Sequence, residues 1–349
     1  MKGIVFTGDS KLELQHFDDP TPGSGEVVLE IKASGMCGSD LKFYRSPPGE
    51  ANKALGIPLG AAVIAGHEPC GVVVAVGANV NPKIARIGQR VMVHHYRGCG
   101  ACPHCSTGWQ QLCVEGVAEV YGVSGHGAHA RYMKCPASTL VTLPDSLSFA
   151  TGAAISCGTG TAWGALKRLE LAGDQTIAIF GQGPVGLSAT QLAVALGARV
   201  IALDVSPERL ARAKAFGAAH LINPAETEPV AAIRELTQGL GAHATIDASS
   251  SAQARRQCVQ SVRTWGKVCL VGEGGQMTLD VSPDLLRRQV TLIGSWTFST
   301  HGQADCAQFI ADRNIDVDQL FTDRWTLDDA EKAYRLFDQQ TSGKGVFVF

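Results

Sequence analysis

Four cysteines crowd one short stretch, Cys99-Gly-Ala-Cys102-Pro-His-Cys105 and then Cys113, with two, two and seven residues between successive thiols. Thiolates at this spacing converge on one ion without strain, and a set of four leaves zinc no vacant coordination position. Such a site is structural: it orders a loop containing Gly98, Gly100, Pro103 and Gly108 that has too little apolar surface to hold one shape unaided. Free surface thiols or an iron–sulfur cluster are the alternatives from composition, and zinc is the better match. A second set of metal-binding types is dispersed: Cys37-Gly-Ser39-Asp40, then Gly66-His67-Glu68, then Cys157. Each is bland alone, because cysteine is among the most buried residues and a single histidine is usually a core or surface group.

The third chemical signal is Gly181-Gln-Gly183-Pro184-Val185-Gly186. Forty glycines in 349 residues make that spacing common by chance, so its surroundings decide. It follows the apolar run Thr176–Phe180, opens a helical pattern, and is answered by Asp204, 18 residues after Gly186. In a dinucleotide site the first glycine makes the tight turn, the second lets backbone approach the pyrophosphate, and the third permits close helix–strand packing. The helix N-terminus then offers free N–H groups to the phosphates. Asp204 would accept hydrogen bonds from both ribose hydroxyls and repel a 2′-phosphate, so NAD is favoured over NADP. Arg209 is read as an adenosine-side neighbour or as a solvated helix residue.

These residues need elements to position them. Up to about Leu143 the texture is short, glycine-punctuated and β-like, as in Val27–Ile31, Gly71–Val76 and Arg90–Val93. Beyond Ala150 apolar strands alternate with amphipathic helices, the mark of a parallel sheet covered on both faces. Six strands are placed there: Thr176–Phe180, Val200–Asp204, His220–Ile222, Ala244–Asp247, Val268–Val271 and Thr291–Gly294. Helices Val185–Leu196 and Pro207–Phe216 run between them, with proline early and glycine just past the end. The fold class is therefore α/β, with a Rossmann dinucleotide-binding domain over 151–295 and a mainly β domain over 1–150. The tail 296–349 ends in the strand-like Val346–Phe349 and is assigned to the first domain.

Composition narrows the function. Thirty basic against 32 acidic side chains, scattered along the chain, give no electrostatic footprint for nucleic acid. The longest apolar stretch, Ala189–Leu203, is interrupted by Gln191 and Arg199 and falls short of a membrane span. Ile4-Val5-Phe6 after Lys2 is too short for a secretory apolar core, which makes the cytoplasm the expected compartment. Eleven cysteines, an odd number in a chain of this length, point to metal binding or catalysis rather than disulfide staples.

Taken together, the cysteine lobe, the strand–glycine–helix motif and the segments around Cys37, His67 and Cys157 resemble the zinc-containing medium-chain alcohol dehydrogenases over essentially the whole chain. The resemblance implies a GroES-like catalytic domain and two zinc ions per chain, one catalytic and one structural. It implies that Cys37, His67 and Cys157 ligate the catalytic zinc, leaving a fourth position for water or substrate, with Glu68 able to stabilise or transiently visit the metal. Ser39 would take the alcohol proton and Asp40 would orient His67. Lys344 resembles the basic residue that reaches the cofactor phosphates, and Pro184, Val185, Asp204 and Arg209 fall in the NAD site. His94 and His95 fall where relatives place substrate-pocket side chains, and Trp163 and Trp296 are candidates to wall the cleft. Polyol and threonine dehydrogenases of this type usually carry glutamate where Cys157 stands, and many relatives carry a histidine where this chain has Lys42. The implied activity is hydride transfer between NAD and a secondary or functionalised alcohol and its ketone or aldehyde. The alternatives are a polyol- or threonine-type dehydrogenase of the same architecture and a non-catalytic NAD(H) sensor. A small-molecule substrate is the expected partner, with self-association to a tetramer favoured over a dimer.

Overall fold

The computed structural model of the chain describes residues 1–50, 53, 62–117, 119–339 and 343–349. Contacts divide it into one unit of Met1–Gly160 with Phe298–Phe349 and another of Thr161–Thr297. The first boundary lies beyond the expected 150 because the helix Phe149–Ile155, buried through Ala150, Ala153 and Ala154, packs on strands Glu26–Gly35 and Glu68–Val76 of the first unit.

In the first unit those two strands pair antiparallel at the centre of a seven-stranded sheet. The order is Phe321–Trp325, Lys344–Val348, Glu26–Gly35, Glu68–Val76, Arg90–Val93 and Leu140–Thr142, with Tyr132–Pro136 also on Glu26–Gly35. Val27, Leu29 and Ile31 alternate into a core with Val73, Val91, Val93 and Met133, the two-residue period of a strand. Two register shifts bend this central pair. The terminal strand joins it antiparallel, Val346 opposite Gly35, so the end of the chain lies against the strand that leads to Cys37.

The second unit is a six-stranded, all-parallel sheet in the order His220–Ile222, Arg199–Leu203, Thr176–Phe180, Ala242–Asp247, Val262–Leu270, Thr291–Gly294. This is the doubly wound order, with its reversal beside Thr176–Phe180. Every residue of that strand is buried, as expected for a strand covered on both faces. The helices Pro184–Ala195, Pro207–Ala215 and Pro229–Leu236 each start on proline, and Ser206 and Glu228 cap the last two. Gly197 and Gly217, at φ +91° and +94°, end the first two where another residue would be strained. One strand departs from expectation: it begins at Val262 rather than Val268, passing an irregular stretch at the exposed Trp265, whose φ is +64°. The segment Arg263-Thr-Trp-Gly-Lys lacks the alternation by which a strand is recognised. No helix among the described residues is long and apolar enough to cross a membrane.

Candidate functional site

The central pair of the first unit delivers two short segments to one place. Glu26–Gly35 runs into the loop that carries Cys37 and Ser39, and Asp40 opens the helix Asp40–Arg45. His67 directly precedes Glu68–Val76, and Cys157 follows the helix Phe149–Ile155. One ligand atom from each of Cys37, His67, Glu68 and Cys157 lies within 4.8 Å of all the others. Cys37 Sγ and Cys157 Sγ are 3.9 Å apart, against about 3.8 Å for two thiolates on a tetrahedral zinc with Zn–S bonds of about 2.3 Å. The close approach depends on glycine: a Cβ at Gly35 would fall 1.9 Å from Glu68 Oε2.

The electrostatics of this cluster ask for a cation. Hydrogen bonding from Cys157 first, then the charges of His67 and Lys344, hold the buried Cys37 thiol well below its ordinary value. Burial depresses His67, but the Asp40 carboxylate and Cys37 outweigh it and hold the ring well above the usual imidazole range. His67 Nδ1 lies 2.8 Å from Asp40 Oδ1 in a short, bent contact, which leaves Nε2 for the metal. Asp40 also accepts the Cys37 backbone N–H at 2.9 Å, tying one ligand's loop to the other's ring. Glu68, fully buried, brings a carboxylate oxygen to the thiols and imidazole, and its Oε2 lies 2.6 Å from the Lys344 ammonium. Thiolate sulfur and imidazole nitrogen, with a carboxylate beside them, at these separations fit a zinc with an exchangeable position. Ser39 Oγ donates to Cys37 Sγ at 3.3 Å and lies 3.2 Å from His67 Nε2, which puts a hydroxyl at the same spot.

Lys344 is placed differently from expectation. Its ammonium donates to Glu68 Oε1 at 2.7 Å and Met36 O at 3.0 Å and sits 2.6 Å from Glu68 Oε2, with 2% of the residue exposed. Burial lowers its proton affinity, yet Glu68 and Cys37 raise it above the usual lysine value. In this structure its charge is committed to the metal cluster rather than to a phosphate. No local pattern signals the pair, whose members are 276 residues apart; only the return of the terminal strand brings them together.

Of the pocket candidates, His95 stands at the cluster. Its ring packs edge-on to His67 with centroids 5.3 Å apart, and its Nδ1 lies 2.9 Å from Ser156 O. His94 is turned away, with Nε2 3.0 Å from Phe298 O and Nδ1 3.4 Å from Tyr96 O. In the second unit Trp163 is buried in the core, while Trp296 is 45% exposed.

Cys99, Cys102, Cys105 and Cys113 also converge within 4.8 Å, with Sγ–Sγ separations of 4.0 Å for Cys99–Cys105 and Cys102–Cys113. Backbone N–H groups of Cys99, Cys102 and Cys105 each donate to a sulfur of the set. All eleven cysteines are free thiols, so nothing here is a disulfide. The set fits a closed zinc site.

In the second unit the glycine motif has the shape a nucleotide needs. Gly181 has φ +89°, and a Cβ at Gly186 would lie 1.8 Å from Gly181 O. A Cβ at Gly183 would meet nothing within 4 Å, so open space lies where a pyrophosphate would rest. The helix Pro184–Ala195 begins there without a side-chain cap, leaving its first N–H groups to a ligand. Asp204, buried, accepts N–H from Gln182 at 2.6 Å and from Ser206 at 2.9 Å, and Arg209 stands 3.9 Å from it. Asp204 thus fixes the glycine loop.

The Alcohol dehydrogenase GroES-like domain family matches residues 23–145, and the Zinc-binding dehydrogenase family matches residues 184–312. An uncharacterized zinc-type alcohol dehydrogenase-like protein, YphC, of Escherichia coli K12 is 38% identical over 100% of this chain and 99% of its own length. Sorbitol dehydrogenase of Bacillus subtilis 168 is 31% identical over 95% of this chain and 92% of its own. The solved structure of alcohol dehydrogenase TADH from Thermus sp. ATN1 superposes with a TM-score of 0.89 at 27% identity, covering 100% and 99% of the two chains. Other similar structures are recorded with NAD or NADH. The chain belongs to the zinc-type alcohol dehydrogenase family. It is a zinc-dependent, NAD-linked oxidoreductase of alcohols and their carbonyl counterparts.

Proposed function

We propose that Cys37, His67 and Cys157 hold the catalytic zinc, that Cys99, Cys102, Cys105 and Cys113 hold the structural one, and that the substrate is a secondary or polyhydroxylated alcohol. The observation that carries the reading is the convergence of Cys37, His67, Glu68 and Cys157 around one point, with the Ser39 hydroxyl beside two of them. Bound zinc supplies Lewis acidity toward an alcohol or carbonyl oxygen, and bound NAD supplies the hydride acceptor. Ser39 accepts the alcohol proton at Oγ as its own hydroxyl proton passes outward to water, and the relay runs backward for the reverse reaction. Asp40 keeps the His67 proton on Nδ1. Lys344 balances the Glu68 charge. Gly183 and the N-terminus of Pro184–Ala195 seat the pyrophosphate, Pro184, Val185 and Gly186 shape that turn, and Asp204, with Arg209 beside it, faces the adenosine ribose and selects NAD over NADP.

His95 supports the functionalised substrate. Because Ser156 O only accepts, His95 carries its proton on Nδ1. Burial, with the charge of His67, keeps the ring well below the usual imidazole value and hence neutral. Its Nε2 is then an acceptor suited to a second substrate hydroxyl, which a plain alkyl alcohol lacks. The sorbitol dehydrogenase among the relatives acts, by its name, on such a compound. Eleven free thiols suit the cytoplasm. The edge strand Thr291–Gly294, with Leu292 exposed, suits self-association; a tetramer rather than a dimer is the assembly proposed, which light scattering measures.

NADH formation with a panel of simple, secondary and polyhydroxylated alcohols, before and after chelation, tests the function. Turnover of hydroxylated substrates that stops when zinc is removed is the expected result, with Cys37→Ser retaining one zinc of the two sites and no activity. Turnover unaffected by Cys37→Ser would remove the cluster from the reaction.

A further inference from the structure

Behind His67 a file of buried polar side chains leads away from the metal cluster into the core of the first unit. Asp40 Oδ2 accepts from Tyr334 Oη at 3.2 Å, Tyr334 Oη lies 2.7 Å from His129 Nε2, and His129 Nδ1 lies 2.7 Å from Ser34 Oγ. Asp40 is 1% exposed, and Tyr334, His129 and Ser34 are 0% exposed. Around them stand the rings of Phe6, Tyr44, Phe337 and Phe347. An apolar core does not hold four such groups cheaply unless each is satisfied.

The protons in this file have one consistent arrangement. A carboxylate only accepts, so Tyr334 donates its single proton to Asp40 and must accept through the same oxygen. His129 Nε2–H is the donor that faces it. Burial pushes the His129 imidazole down to about 4, so the ring is neutral and carries no second proton. Its Nδ1 therefore accepts, and Ser34 donates. Burial and the Asp40 charge keep Tyr334 protonated, well above the usual phenol value. Every bond points toward Asp40, which also receives the Cys37 backbone N–H and faces His67 Nδ1. The ring of His129 is itself pressed on the ligand segment: a Cβ at Gly66, where φ is +92°, would lie 2.3 Å from His129 Nδ1.

We propose that Tyr334, aligned by His129 and Ser34, is a positioning residue for the catalytic metal: its hydroxyl completes the acceptor set of Asp40 and thereby fixes the ring and tautomer of His67. A core tyrosine needed only for packing would contribute its ring. Here the hydroxyl is the part that reaches the site, across 294 residues of sequence. The inference rests on the reading of Cys37, His67 and Cys157 as metal ligands.

The test follows zinc release to a colorimetric chelator from the holoenzyme and from Tyr334→Phe, which keeps the ring and removes the hydroxyl. The two sites separate because Cys37→Ser keeps only the structural one. In Tyr334→Phe the catalytic-site phase should accelerate roughly tenfold, the low end of the effect of outer partners on metal ligands, while the structural-site phase is unchanged. The absorption bands of the cobalt(II)-substituted enzyme should shift in the same variant. In an Asp40→Asn background the substitution should add less than about twofold, because Tyr334 acts through Asp40. Release and cobalt spectrum both unchanged, whatever happens to thermal stability, would overturn the proposal; so would a full additional effect in the Asp40→Asn background. Should Tyr334→Phe not fold, nitrogen-15 NMR of His129 in the wild-type holoenzyme decides: a proton on Nε2 is expected, and a proton on Nδ1 overturns the file. A wild-type protein that binds zinc only at the four-cysteine site overturns both this inference and the ligand reading beneath it. Zinc at both sites with release insensitive to Tyr334 overturns this inference alone.

Discussion

Gly183 and Gly186 are the same residue type three positions apart, and the structure uses them for opposite reasons. A methyl at Gly183 points into open space, whereas one at Gly186 would sit 1.8 Å from Gly181 O. Gly183→Ala should therefore melt like the wild type yet bind NADH about tenfold more weakly, a loss of roughly 1.4 kcal/mol, because the methyl fills the phosphate cradle. Gly186→Ala should cost up to about 3 kcal/mol of stability through backbone overpacking. Melting curves and NADH fluorescence titrations separate the two, and a Gly183→Ala protein with native affinity would remove the cradle. Asp204 Oδ2 accepts the Gln182 N–H of the glycine loop, and its proposed second duty is toward the adenosine ribose. Asp204→Ala should narrow the preference for NAD over NADP and weaken both cofactors. An unchanged ratio would show that Asp204 only holds the loop. The four-cysteine lobe and the glycine motif are legible because their spacing is local, whereas Cys37, His67 and Cys157, dispersed along the chain, are bland singly and come together only through the family resemblance. Lys344 is not legible: its partners are Glu68 and Met36, and nothing near it in sequence marks them.

At the scale of elements, what sequence patterns express well is local punctuation. Thr176–Phe180 and Thr291–Gly294 have the expected bounds, and Pro207–Ala215 ends one residue from expectation, because proline, glycine and apolar runs punctuate them. Glu26–Gly35 extends well past Val27–Ile31, since its outer residues are held by pairing with the remote strands Glu68–Val76 and Lys344–Val348 rather than by their own alternation. The cysteine lobe is the opposite extreme. Among the described residues it contains only the short helix Pro103–Ser106, the two-residue pair of Tyr96–Arg97 with Glu119–Val120, and the turn Gln110–Leu112, too little to persist without a staple. Hydrogen bonding from the Cys105 N–H first, then from Val114, holds the Cys102 thiol at about 6, a thiolate ready for metal near neutral pH. Cys102→Ser should accordingly empty this site and lower the melting temperature by about 5–10 °C. Elemental analysis and calorimetry check it, and native zinc content with native melting would assign the four cysteines some other role.

Over the whole molecule, near-zero net charge and buried neutral imidazoles set the response to acid. With 30 basic and 32 acidic side chains there is little global repulsion at neutral pH, so specific groups dominate. His129 is the clearest, its imidazole pushed by burial from 6.5 down to about 4. The folded state binds its proton less readily than the unfolded chain does, so stability from this group is complete above the unfolded value of 6.5. It is lost as pH falls from there toward 4, and levels off below. The shift corresponds to about 3 kcal/mol. His94 is shifted in the same direction by burial and adds to the loss. The melting temperature of the holoenzyme should thus be flat from pH 8 to about 6.5 and decline steadily toward 4, with protonation of the zinc thiolates acting in the same sense. NMR of the His129 ring carbons distinguishes the contributions, because the ring should stay neutral in the folded protein to about pH 4. Titration of that ring near 6.5 in the folded state would mean that water reaches it, and the acid sensitivity would then belong to the metal sites alone.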